Sequence, residues 1–443
     1  MTIAIKIIQF LISLSILVII HELGHFMMAK VFKVRVEKFY LFFDAWFSIF
    51  KFKRGETEYG LGWLPLGGYV KISGMIDESM DIEQMKKPPQ PYEFRSKKAW
   101  QRLLIMTGGV IFNFILAILI YVSILFAWGK TYLPTANVKY GIVTDSTGLS
   151  IGLKNGDKII SVDNQQIENF EDVLKDIILN KRSSIQVDRN GEKIDIALPA
   201  DYIPNLLKGR GGFDIRVPFG PFKIVSFGKE SPARSAGVAK GDELTGIDSV
   251  KFTYYDEFQN YLISKKGKSI VLNILRDGKN LDIPMIPTDD GKLGVQTDRT
   301  PTSYFEFKTI KYGFFQSIPA GITRGFREIG DYLKQFRLIF SKGTKAYESL
   351  GGFITIGSIF PATWDWQRFW DVTAFLSIIL AVMNILPIPA LDGGHVMFLL
   401  FEVITGRKPS DKFLEYAQIV GMVILISLLI FANGNDILRH LRK

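Results

Sequence analysis

Cysteine is absent from all 443 residues, so the chain can form no disulfide and can offer no thiolate to a metal. The same absence leaves the redox compartment open. Histidine is scarce: there are four, and two of them stand four residues apart at His21 and His25. No nucleic-acid-binding motif is present. The net charge of +10 therefore reads as basic loops flanking membrane helices, not as a surface for nucleic acid. No small-residue cleavage site follows the first apolar run, so that run reads as a retained anchor and not a signal peptide.

What the chain does contain is apolar and unevenly spread. Hydrophobic residues make up 47% of it, and there are 35 Phe. Four runs are long enough to span a bilayer: Ile3 to Ile20, about Leu103 to Trp128, about Val372 to Leu386, and about Tyr416 to Phe431. Lys6 is the only charge in the first of them, until His21-Glu22-Leu23-Gly24-His25. Ionisable groups are costly inside a span, and there they point to function. Histidines at i and i+4 share one helix face. Neutral imidazoles so spaced can hold one Zn²⁺ and leave a coordination position for water, with Glu22 between them to take a proton.

Two histidines require a further protein ligand. The third apolar run ends in Asn384-Ile385-Leu386-Pro387-Ile388-Pro389-Ala390-Leu391-Asp392-Gly393-Gly394-His395. Two prolines there break the helix, and broken backbone at membrane depth must be buried or line a polar cavity. Asp392 is the candidate third ligand, and His395 competes for the position. In the second run, Gly108-Gly109 and Asn113 allow close helix packing or a polar contact.

Residues 31 to 75 alternate apolar and polar and are dense in aromatics, as β-hairpins at or dipping into a membrane surface would be. Residues 76 to 98 form a polar, Pro-rich loop or short amphipathic segment. Ile322 to Phe340 has helical spacing with basic ends and is expected to lie along the membrane surface or to connect soluble parts. From about 133 to 300 the composition turns soluble and repeats. Gly152 to Asp163 recurs as Gly237 to Asp248, 85 residues on, and Arg189-Asn190-Gly191 recurs as Arg276-Asp277-Gly278. Asn-Gly and Asp-Gly are hairpin turns, so each copy reads as a small β-rich module with one or two helices.

Taken together, the HExxH pair in a first span, a repeat region after the second and N-x-x-P-x-P-x-L-D-G-G after the third resemble the site-2 protease family of intramembrane metalloproteases. The resemblance covers essentially the whole chain. It implies an α-helical polytopic membrane protein of four transmembrane helices, with a membrane-associated β-region and two inserted α+β PDZ-like domains. The divisions are 1–29 (first helix), 30–101 (β-hairpin region), 102–130 (second helix), 131–216 and 217–300 (the PDZ-like copies), 301–366 (linker with an amphipathic helix), 367–405 (third helix with the Leu-Asp-Gly motif) and 406–443 (basic loop, fourth helix and basic tail).

The same resemblance implies that His21, His25 and Asp392 bind zinc, that Glu22 is the general base, and that Asn384, Gly67, Gly68 and Tyr69 contact substrate. The implied activity is cleavage of single-span membrane proteins, such as an anti-sigma factor or a signal-peptide remnant, after an upstream site-1-type protease has shortened them. The setting would be the bacterial inner membrane. The chain departs from the family pattern at Leu41-Phe42-Phe43-Asp44, where relatives carry a Gly-Phe-Gly loop, and in lacking proline after Gly108-Gly109 and Gly351-Gly352. A membrane adaptor with two binding modules is a rival reading, but it leaves Glu22 and Asp392 without a purpose. A transporter is another, against which stands the lack of inverted repeats among the four spans.

The connections 30–102 and 406–412 are rich in Lys and Arg, which places them in the cytoplasm and the repeats outside. A Ser183→Cys substitution supplies one thiol in a chain without any. A membrane-impermeant maleimide should label it from outside the cytoplasmic membrane; labelling from the cytoplasmic side alone would reverse the orientation.

Overall fold

The computed structural model describes residues 2–65, 67–75, 88–208, 211–341 and 351–441. Leu66, the 76–87 part of the Pro-rich loop and the last two residues of the basic tail lie outside the described residues. The chain divides into two compact units. One comprises 1–130, 311–337 and 347–443; the other comprises 131–310 and 338–346.

In the first unit, four helices among the described residues are long and apolar enough to cross a membrane. They are Thr2–Val31, Ala99–Ala127, Trp366–Ile385 and Asp411–Leu441. Each outruns its apolar core because polar residues carry the helix on. The third begins at Trp366, before the apolar run, because the Asp365 side chain accepts the Arg368 N–H and caps the first turn. On the first helix every fourth residue from Gln9 through Ser13, Leu17 and His21 to His25 is buried. Ile3, Ile7, Ile8, Ile12 and Ile19 are exposed, as a lipid-facing surface requires. The buried stripe is polar and bonded: Gln9 donates to the Pro361 carbonyl at 2.9 Å, and Ser13 accepts from Thr373 at 3.0 Å. Each such link within a membrane contributes on the order of 1 kcal/mol.

The first and second helices cross at Gly24 and Gly108. A Cβ on Gly24 would lie 2.3 Å from the Gly108 carbonyl oxygen, so only glycine permits this approach.

Residues 36 to 72 form one four-stranded mixed sheet: β1 (Val36–Leu41), β2 (Phe43–Arg54), β3 (Thr57–Leu64) and β4 (Tyr69–Ile72), in the order β2-β3-β1-β4. The hairpin expectation holds only for β2 and β3. Phe42 alone joins β1 to β2, at φ 65, which is too short for a hairpin. The chain therefore runs on and folds back through β3, which pairs with β1 in parallel.

The helix over residues 314–339 (Phe314–Ile339) starts earlier than its spacing predicts. It runs antiparallel along the second span: Phe314 meets Phe126, Gly321 meets Val122, Gly325 meets Ile118 and Phe326 meets Phe114. A helix paired lengthwise with a membrane span does not lie flat on the surface. Gly321 and Gly325 are the reason, since they open a groove for Val122 and Ile118.

The second unit holds the repeats, each with its own apolar core. The first copy has a three-stranded sheet, with Ile142–Thr144 and Phe213–Ile215 as a separate pair. In the second copy the five strands run Lys279–Met285, Ile270–Arg276, Glu243–Ile247, Phe222–Phe227, Val295–Thr297 across the sheet. The two repeated motifs are partners in space. Arg189 donates to both Asp157 oxygens and to the Gly152 carbonyl; Arg276 does the same to Asp242 and Gly237. Each pair staples the Gly-x-x-x-Gly-Asp loop to its hairpin. The copies are also joined to each other. Arg216, at the end of the first, donates to Asp256 at 2.9 and 3.0 Å and stacks 3.6 Å from the Tyr254 ring centre.

Asp242 is buried, and the Arg276 guanidinium holds its carboxyl below the usual carboxylate range. A lowered value stabilises the fold above the unfolded-state pKa and ceases to do so as the pH falls through the folded one. At neutral pH, Arg276→Ala should destabilise the second copy by leaving the buried Asp242 carboxylate without its ion partner, though by less than the loss of a fully buried pair because Arg276 is a third exposed. Hydrogen exchange of the 270–276 strand should show that loss, and the difference from wild type should vanish in acid.

Candidate metal centre

The first helix carries His21 and His25 one turn apart near its C-terminal end, 8% and 7% exposed. The second helix turns one face to them. The Ile105 carbonyl accepts from His25 Nδ1 at 2.9 Å, and the Asn113 amide lies 3.1 Å from His21 Nδ1. Between these, Gly109 leaves room for the rings; a Cβ there would lie 2.5 Å from both His21 Cε1 and His25 Nε2. Residues 105, 109 and 113 are spaced by four, which is why one helix face supplies all three contacts.

The third component arrives through the broken helix. Trp366–Ile385 ends before Pro387, and a new helix, Asp392–Thr405, begins. Asp392 stands in its first turn, where the positive helix end favours a carboxylate. The turn is tight. A Cβ on Gly393 would lie 2.0 Å from the Leu386 carbonyl oxygen, and one on Gly394 2.6 Å from Pro389 Cα. The fourth helix holds the turn from behind: Gln418 accepts the Ala390 N–H at 3.1 Å, and Gly421 makes room for Pro389. Arg102, itself buried, pairs with Glu402 and ties the new helix to the second span.

His21 Nε2 and His25 Nε2 lie 3.1 and 3.3 Å from Asp392 Oδ2 and 3.3 Å from each other. Asp392 Oδ2 is buried and accepts no hydrogen bond of good geometry. Three atoms able to donate an electron pair thus converge on one point. That fits a cation, and two imidazoles with one carboxylate are a zinc-type set. Among the described residues these three form the group able to hold a metal; His395 is not in it.

Glu22 follows His21 and is half-buried beside the β-sheet. Its carboxylate lies near the Val70 main chain of β4. Gly68 is the point of closest approach: a Cβ there would lie 2.6 Å from Val18, 2.7 Å from the Tyr40 carbonyl oxygen and 3.5 Å from Glu22 Cγ. A Cβ on Gly67 would press on the Phe43 ring at 3.0 Å. Tyr69 donates to Asp44 at 3.0 Å, and its ring stacks between Tyr40 and Phe43. Asn384, near the end of the third helix, places its amide 3.1 Å from His21 Nε2. Of the candidate site residues, Asp392 and Asn384 gather around the two histidines, and Gly68 lies beside Glu22, with Gly67 before it and Tyr69 after it at the start of β4. Gln418 was overlooked; its signal was a lone amide in an apolar span.

The profile of peptidase family M50, the site-2 proteases, matches residues 9–428, and the chain belongs to that family: it is a membrane metalloendopeptidase. Among its relatives is a protein of Neisseria meningitidis provisionally named a zinc metalloprotease, 28% identical, with 98% of each chain covered. Another is the regulator of sigma-E protease RseP of Escherichia coli, 27% identical, with 97% of this chain and 98% of that one covered. A PDZ domain of an SdrC-like protein from Listeria monocytogenes aligns with 18% of this chain and 92% of its own at 25% identity, with a TM-score of 0.17. A score that low carries no argument about the fold of the repeats.

Proposed function

We propose that the chain is a zinc-dependent protease of the bacterial inner membrane, cleaving the spans of single-span proteins within the bilayer. The observation that carries this reading is the meeting of His21, His25 and Asp392 inside apolar helices, with Glu22 alongside. Held by those three residues, zinc would supply Lewis acidity, polarising a peptide carbonyl and making water a nucleophile near neutral pH.

The remaining steps belong to the chain's own groups. A helical substrate hides its carbonyls in its own hydrogen bonds, so it has to unwind. β4 ends the sheet, with its Val70 main chain near Glu22. An unwound segment added along that edge as a further strand would lie against the metal ligands. Gly67 and Gly68 let it approach, and Tyr69 fixes the strand. Glu22 takes a proton from the attacking water and passes it to the leaving amine. The Asn384 amide, a donor beside His21, holds the substrate backbone or its developing oxyanion.

The repeats carry none of these groups. We read them as a PDZ-like pair on the outer side that admits substrates already shortened by a site-1-type protease. Relatives named regulator of sigma-E protease support an anti-sigma factor as one such substrate.

Glu22→Gln keeps size and a hydrogen-bond acceptor but cannot take a proton. It should lower cleavage of a model single-span substrate by at least ~10²–10⁴-fold while zinc content stays at the wild-type level. A folded, zinc-loaded variant within threefold of the wild-type rate would remove the general-base role and most of the protease reading.

A further inference from the structure

A neutral imidazole has one N–H and one lone pair, and a metal takes the lone pair. For His25 the question of which nitrogen is which is settled by the main chain. The Ile105 oxygen can only accept, so Nδ1 carries the hydrogen and Nε2 faces Asp392. His21 has no such carbonyl. Two side-chain amides approach it instead: the Asn113 nitrogen 3.1 Å from Nδ1 and the Asn384 nitrogen 3.1 Å from Nε2. Both cannot donate, because a neutral ring has a single lone pair. One amide must present its carbonyl.

The ring itself decides which: Nε2 is the nitrogen that faces Asp392 and His25, so it keeps the lone pair and Nδ1, beside Asn113, carries the hydrogen. Asn113 is wholly buried, and its Oδ1 has no hydrogen-bond partner. Turning that amide by half a rotation places the oxygen where it accepts the His21 Nδ1 hydrogen. The backbone of Asn113 is itself pinned, since its carbonyl accepts the Ser377 hydroxyl of the third helix at 2.7 Å.

We infer that Asn113 is a positioning residue of the metal centre: its side-chain carbonyl holds His21 with Nδ1 protonated and Nε2 open toward His25 and Asp392. The second span thus orients both histidines, one through a main-chain oxygen and one through a side-chain oxygen. This inference rests on the proposed zinc site. It predicts that position 113 needs an acceptor rather than an amide, which a role in packing alone would not require.

The test uses the full chain in detergent, with zinc affinity measured by chelator competition. Asn113→Leu, close in volume and at home in a membrane, should bind zinc 10–100-fold more weakly. Asn113→Asp, which keeps the acceptor, should stay within about threefold of wild type. A folded Leu variant with wild-type affinity would overturn the inference, as would an Asp variant that folds and binds as weakly as Leu. Should the Asp variant fail to fold, ¹⁵N shifts of the histidine rings in metal-free wild type decide. They should show His21 protonated at Nδ1; protonation at Nε2 would overturn the inference. Wild type that holds no zinc would retire the proposed zinc site, while the ring shifts would still report on Asn113.

Discussion

Three electron-pair donors held about 3 Å apart repel one another unless a cation or shared protons lie among them, and here they are held so where apolar helices meet. That constraint organises the first unit. Neither histidine could stay in place without the second span, which supplies an acceptor at Ile105, a gap at Gly109 and an amide at Asn113. Asp392 could not reach them without the Pro387 break, two glycines that let the turn close, and Gln418 and Gly421 bracing it from the fourth helix. A continuous third helix would carry Asp392 past the site.

The same economy governs the polar groups elsewhere. Lipid offers no hydrogen bonds, so the polar side chains of the spans pair with each other or with main-chain groups that loops and breaks leave open. Gln9, Ser13, Thr373 and Ser377 all do so. The β-sheet obeys a complementary rule. It brings its edge strand, β4, beside the helix that carries Glu22. Such an edge is a liability in most proteins; in the function we propose it is the means by which an unwound substrate is captured.

Much of the site was legible in the sequence because its elements are local. His21 and His25 declare themselves by helical spacing, Asp392 by lying after a proline break, and the repeat by Gly-Asp and Arg-x-Gly returning together. What the sequence hides is set by contacts between distant segments. The parallel pairing of β1 with β3 depends on a one-residue turn at Phe42 that alternation alone does not show. The helix from Phe314 carries basic residues that read as a surface helix, yet Gly321 and Gly325 commit it to the second span. Asn113 was visible as a polar residue in a span, but its partner lay 92 residues away in sequence. The choice between Asp392 and His395 turned on a helix start that only the folded turn defines. At Leu41 to Asp44, where the Gly-Phe-Gly loop of relatives is missing, Asp44 takes up a specific task in holding Tyr69.

The central claim is that two imidazoles from the first membrane helix and one carboxylate from the helix that follows the Pro387 break hold a zinc ion. X-ray absorption at the zinc edge of the purified, zinc-loaded chain reads that ligand set directly. The account predicts two imidazole nitrogens at about 2.0–2.1 Å with oxygen completing the shell and no sulfur. A shell of three imidazoles would bring in His395 and contradict it, and so would one with no imidazole at all.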